Sequence, residues 1–171
     1  MRLHLHLPSR RAAASALLAI AVLGGCGSED PSGSSSGTTT ALDASTTTSD
    51  PTATRTLAEI TSIKAVSNGP TAPSVVELPD ANVTSLINYH WNDAQGVEPG
   101  TISLRAADGT LYGPFETVGL PGQGGVPNAY WEAKVDLDLP AGTYTVEDSD
   151  PATWSWAPDT AGRGMVQILG R

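Results

Sequence analysis

From Leu57 onward, large apolar and aromatic side chains recur with a period of two. That is the spacing of a strand with one face on a core and the other in water. Residues 83–91 read VTSLINYHW: Val83, Ile87, Tyr89 and Trp91 share one parity with Ser85, while Thr84, Asn88 and His90 share the other, with Leu86 out of step. Residues 130–137 read YWEAKVDL, where Trp131, Ala133, Val135 and Leu137 alternate with Glu132, Lys134 and Asp136. On this pattern Trp91 and Trp131 belong to the core, and Tyr130 and His90 to the surface. Further strands are expected at 58–66, 73–78, 101–106, 110–118, 143–147 and 164–169. Turn residues separate them: Asn68-Gly69-Pro70, Glu98-Pro99-Gly100, Asp108-Gly109 and Pro140-Ala141-Gly142. Asp108-Gly109, between TISLRAA and TLYGPF, is a hairpin signature. No helical window of ten or more residues follows Leu57. About eight short strands predict an all-β domain over 57–171, a single antiparallel β-sandwich, with a small barrel as the alternative.

Ahead of that domain the pattern is different. Residues 12–23 read AAASALLAIAVL, and Arg2, Arg10 and Arg11 precede them, with no acid before Glu29. A basic flank, a short apolar run and small residues at its end describe a secretory signal peptide over 1–25. The run is about 12 residues, or roughly 18 Å of helix, too short for a bilayer core of about 30 Å. It ends in Leu23-Gly24-Gly25-Cys26, and Cys26 is the sole cysteine. This LGGC string resembles the lipobox of bacterial lipoproteins, with Gly24 where Ala or Ser is commoner. The resemblance implies a diacylglyceryl group on the Cys26 thiol and cleavage between Gly25 and Cys26. Gly27 follows the cysteine, where many Gram-negative lipoproteins carry Asp as a retention signal. The expected place is therefore the cell envelope, lipid-anchored, with the outer membrane or cell surface favoured.

Residues 26–56 form the expected tether. Seven Ser and nine Thr occur in 27–56, and Leu42 is its one large apolar side chain before the fold. Such a stretch buries too little surface to offset its ordering entropy, so a flexible linker is expected. As a coil it reaches roughly 30 Å on average.

Charge narrows the partners. The chain has nine Lys and Arg against 18 Asp and Glu, net −9. Removing the leader takes away three arginines and no acid. The remaining cations, Arg55, Lys64, Arg105, Lys134, Arg163 and Arg171, are scattered. A nucleic-acid binder needs a basic face, so nucleic acid is not an expected partner. With Cys26 committed to lipid, no disulfide or thiolate chemistry is expected of the domain. His4 and His6 leave with the leader, so His90 is the one histidine of the exported part.

Two stretches lie outside the strand pattern. Residues 119–128, GLPGQGGVPN, read as a long connection at one end of the sandwich, where binding residues commonly sit. Residues 147–156, EDSDPATWSW, bring Asp148, Ser149 and Asp150 together. Their oxygens suit a Ca²⁺ ion. The same string is also a plain turn, with Asp150 capping and Pro151 fixing the bend, and the turn without a cofactor is the expectation. Trp154 and Trp156 share a face if the segment is extended; exposed they would make a stacking platform for sugars, but large aromatics are mostly buried, and the expectation is that they close the bottom of the sandwich. If Pro140-Ala141-Gly142 closes a hairpin between the strands at 129–137 and 143–147, the two stretches meet at one end. Asn128, Tyr130, Asp148, Asp150, Trp154 and Trp156 are then the candidate ligand-binding residues. No G-x-S-x-G, HExxH or comparable motif is present, and no enzyme activity is expected.

YHWN, PGTISL, DGTLYGP, GQGGVPNAYW and LPAGTYTVEDSDPATWS together resemble a small β-rich module of secreted bacterial proteins, over roughly 58–170. The module has no settled biochemical role, so the resemblance implies an independent extracytoplasmic fold and no catalytic residue. The resulting expectation is a lipoprotein displaying a sandwich that binds a glycan or a protein partner. The alternative is a structural envelope protein with no small ligand.

Overall fold

A computed structural model describes residue 50 and residues 52–171. The expected signal peptide over 1–25, the expected cleavage between Gly25 and Cys26, the expected lipidation at Cys26 and most of the expected tether lie outside the described residues. In chain order the strands are β1 (Arg55–Ile60), β2 (Ser67–Asn68), β3 (Ser74–Leu78), β4 (Ala81–Tyr89) and β5 (Thr101–Ala106). They continue with β6 (Leu111–Glu116), β7 (Val118–Leu120), β8 (Tyr130–Leu139), β9 (Gly142–Asp148), β10 (Ser155–Trp156) and β11 (Val166–Gly170). No helix among the described residues is long and apolar enough to cross a membrane.

The strands form an antiparallel β-sandwich. One sheet has the order β1-β11-β4-β8-β7, the other β3-β9-β5-β6, and β10 pairs with β2 as a small ribbon. The core between the sheets takes Val83, Leu86, Trp131, Ala133, Val166 and Ile168 from the first, and Val76, Leu78, Ile102, Leu104, Tyr144 and Val146 from the second. The alternation in β8 places Trp131, 1 % exposed, and Ala133 inside, as the sequence predicts. Asp108-Gly109 turns β5 onto β6, with Gly109 at φ +89° and the Thr110 N–H donating to Asp108 Oδ1 at 2.8 Å.

Three expectations are corrected. First, β8 and β9 are not hairpin neighbours. Both edges of β8 are taken by β4 and β7, and both edges of β9 by β3 and β5, so the turn after Leu139 carries the chain between sheets. Tyr144 Oη donates to the Pro140 carbonyl at 2.8 Å and holds that crossing. Second, the first strand ends at Ile60, and residues 61–66 are a loop; it begins at Arg55, so Arg55 and Thr56 are strand residues paired with Gly170 and Leu169.

The third correction concerns β4. Against β8 the register shifts by one residue between Val83, opposite Leu137, and Ser85, opposite Lys134. Against β11 it shifts between Leu169 and Gly170. Because side chains alternate strictly along a strand, a one-residue shift sends every later side chain to the other face. Ala81 and Val83 face the core, and beyond the irregularity Leu86, Asn88 and His90 do so. Ile87, Tyr89 and Trp91 face outward. The strict period-two reading of 83–91 therefore inverts in its second half: His90 is fully buried, and Trp91 leaves the core.

Candidate functional site

The outward residues at the ends of β4 and β8 build an aromatic surface. Tyr89 pairs across the strands with Tyr130, their ring centroids 4.7 Å apart and tilted by 42°. Tyr89 and Trp91, two residues apart, stack at 6.4 Å and 29°. Tyr89 joins Val126, Ala129 and Met165 in a second apolar cluster, separate from the sandwich core, with Val66 and Trp91 packed on it. Tyr130 remains 38 % exposed. These rings line a hollow of about 590 Å³, completed by the 61–66 loop, Gln123 and Met165. Ligand pockets commonly run about 300–1,000 Å³, mostly apolar with a few placed polar groups, and this hollow has that size and make-up.

Each wall is fixed by local chemistry. The 61–66 loop is held by one carboxylate: Ser62 Oγ donates to Asp159 Oδ1 at 2.7 Å, and Lys64 Nζ lies 3.4 Å from Asp159 Oδ2. The Ser62 hydrogen bond, with smaller help from Lys64, keeps the Asp159 carboxyl below its ordinary range against a little desolvation. Between the two clamped residues, Ile63 stands fully exposed.

Trp91 is held from both sides. Its N–H donates to Ser155 Oγ at 2.8 Å, and its carbonyl accepts the Gly96 N–H at 3.3 Å. Between them Asn92, Asp93 and Ala94 take left-handed φ values of 45°, 54° and 65°. A left-handed turn costs roughly 1–2 kcal/mol per non-glycine residue, and Asn and Asp tolerate it better than Ala. Asn92 Nδ2 donates to the Gly96 carbonyl at 2.8 Å and helps to close the turn. The Tyr89 hydroxyl lies at the Gln123 backbone; burial pushes its ionisation up, and Tyr130 adds to that.

The inward half of the same alternation is a buried polar network. His90 stacks on Trp131 with centroids 3.8 Å apart. Its Nε2 lies 3.0 Å from Asp148 Oδ2, and its Nδ1 lies 2.9 Å from Thr153 Oγ1. Asn88 Nδ2 donates to Asp148 Oδ2 at 2.6 Å, and the Asp150 N–H donates to Asp148 Oδ1 at 2.8 Å. A carboxylate, a histidine and a hydroxyl in line resemble a hydrolytic triad. The ring is reversed, however: in such a triad the acid holds Nδ1 and the nucleophile meets Nε2. The side chains of His90 and Asp148 are also wholly buried. This network ties β4 of one sheet to β9 of the other.

The six residues singled out in the sequence lie around this end of the sandwich but face different ways. His90 links the two stretches, since its N–H donates to the Ala129 carbonyl at 2.6 Å while its ring meets Asp148. Tyr130 alone among the six lines the hollow. Asn128 has φ 51°, a turn conformation, and its side chain lies against Gly119. Asp148 faces inward. Asp150 Oδ2 accepts the Thr153 hydroxyl at 3.0 Å, and Ser149 Oγ accepts the Thr101 N–H at 2.8 Å, so the three oxygens considered for calcium turn to separate partners. Among the described residues no group of three or more His, Cys, Asp or Glu is arranged to hold a metal ion. Trp154 is 4 % exposed and donates from Nε1 to the Met165 carbonyl at 2.8 Å. Trp156 is half-buried and pairs with Ser67 in the β10–β2 ribbon.

Ser62, Lys64, Gln123 and Met165 carry no signal in the sequence pattern, and Trp91 reads there as a core residue. The out-of-step Leu86 was the available clue, since an apolar residue on a polar parity marks a place where parity switches. Compared with protein families, with curated proteins and with solved structures, the chain matches none.

Proposed function

We infer that this chain is an extracytoplasmic lipoprotein, anchored through Cys26, whose sandwich binds a carbohydrate in the groove of Tyr89, Trp91 and Tyr130. The carrying observation is that Tyr89, Trp91 and Tyr130 meet on the sheet face away from the main sandwich core, Tyr89 buried, Trp91 half-buried and Tyr130 exposed. The C–H face of a pyranose packs on the π face of such rings, and Gln123 and the tyrosine hydroxyls are within the same hollow for sugar hydroxyls.

The direction of β1 supports display from a membrane. Arg55 pairs with Gly170, and Gly170 with Val83, at one end of the sheet; Ile60 pairs with Val166, and Val166 with Asn88, at the other. The groove lies at the Ile60 end. Five residues of strand separate the two ends, about 17 Å. The chain enters the sandwich at Arg55, at the end of the sheet opposite the groove.

A glycan array probed with the full chain tests the reading. Selective retention of particular sugars, lost in Trp91→Ala, is the expected result. A protein that retains none would favour a structural envelope role or a protein partner.

A further inference from the structure

The groove does not end at the first hollow. A second, of about 240 Å³, adjoins it on the same face, and the two share Ser62, Tyr89, Tyr130 and Met165. The first closes at Trp91 and Gln123, the second at Ile87 and Gln167. Ile87 and Tyr89 are successive outward residues of β4, and Trp91 follows just past its end, so the paired hollows lie in line along this face. A pyranose ring is about as wide as a tyrosine ring and covers one of these steps, not both. Gln167 lies opposite Ile87 on β11 at the far end, and its Nε2 donates to Thr56 Oγ1 at 3.5 Å in an exposed contact.

Charge restricts the ligand further. Among the described residues Lys64 is the one charged side chain lining the two hollows, and Asp159 already pairs with it. An acidic sugar would bring an unmatched anion to a chain of net charge −9. Resting on the carbohydrate reading above, we propose that the groove takes a neutral, linear oligosaccharide of at least two units. One unit lies over Trp91 and Tyr130, and the next over Ile87, against Gln167.

Titration calorimetry of the full chain tests this with neutral gluco-, xylo- and N-acetylglucosamine oligomers of one to six units, with oligogalacturonate, and with decaproline. For the neutral series that binds, affinity should rise at least tenfold from one unit to two or three and then level off. Gln167→Ala and Gln167→Glu should shrink that gain, whereas Trp91→Ala should weaken every length. The length dependence stands without any variant. Equal affinity for one unit and for longer chains, or a preference for oligogalacturonate, would overturn the proposal and leave the carbohydrate reading intact. Binding of decaproline alone, or of nothing in the panel, would overturn both.

Discussion

Val83 and Leu86 stand three residues apart in β4, and both are fully buried in the sandwich core. An unbroken strand would put them on opposite faces. The register shift between them decides the chemistry of the domain. It turns Tyr89 and Trp91 out to the groove and turns Asn88 and His90 in, toward Asp148.

The inward half should govern stability. Removing one partner from a buried hydrogen-bond network leaves a polar group unsatisfied and costs roughly 1–3 kcal/mol. His90→Ala should lower the unfolding free energy by about that amount in urea titration, because Asp148 stays buried with Asn88 and one backbone N–H as partners. Tyr130→Ala, on the exposed side of the same sheet, should cost far less. Equal losses in the two variants would contradict the division between a buried network and an open groove.

The loop that presents Trp91 should respond oppositely to two small changes. Gly96 has φ +65°, and a β-carbon there would collide with the Pro127 carbonyl oxygen, a backbone atom that cannot swing aside. Gly96→Ala should therefore destabilise by about 1–3 kcal/mol. Ala94 has φ 65° with a side chain that gains nothing from it. Ala94→Gly should leave stability unchanged or raise it by up to about 1 kcal/mol, as relief of left-handed strain outweighs added chain entropy. Thermal melts of the two variants compare them directly.

Acid should loosen the groove wall. Asp159 is held below its ordinary range by Ser62 first and also by Lys64. A depressed carboxylate contributes fully above its unfolded value, and its contribution is lost as pH falls through the folded value. Ligand affinity should thus be flat near neutrality and fall in acid, below the ordinary carboxylate range. Asp159→Asn should be weaker at neutral pH and lose that acid dependence. An identical acid limb in Asp159→Asn would assign it to another group.

Much of the fold was legible because strand alternation and turn residues are local. The β8 pattern marks Trp131 and Ala133 as core, and Asp108-Gly109 marks its hairpin, without knowledge of any partner strand. Pairing is not local: nothing within Pro140-Ala141-Gly142 says that β4 and β3 already flank the strands on either side of it. The groove was hidden for a related reason. Ser85 and Leu86 record the parity switch, but its position depends on registers with β8 and β11, both distant in sequence. The spacing of Trp154 and Trp156 leaves both a platform and a buried pair open; Gly164 opens room beneath the Trp154 indole and lets it pack inside.

The anchor has its own test. If Cys26 carries the lipid, Cys26→Ala should accumulate as a longer, unprocessed precursor that incorporates no labelled fatty acid. Two acyl chains hold a protein firmly where one does so only marginally, at about 0.8 kcal/mol per buried methylene. Normal maturation and fractionation of the variant would contradict the lipoprotein reading.

The central claim is that the outward rings, not the buried ones, meet the ligand. The chain has four tryptophans, and each gives a separate indole N–H resonance in a ¹⁵N-labelled sample. Trp131 and Trp154 spend theirs on the Val97 and Met165 carbonyls inside the fold. Added to the full chain, the best neutral oligosaccharide of the panel should shift the Trp91 indole resonance and leave those of Trp131 and Trp154 in place. A Trp91 resonance that stays fixed while the sugar binds would contradict the account.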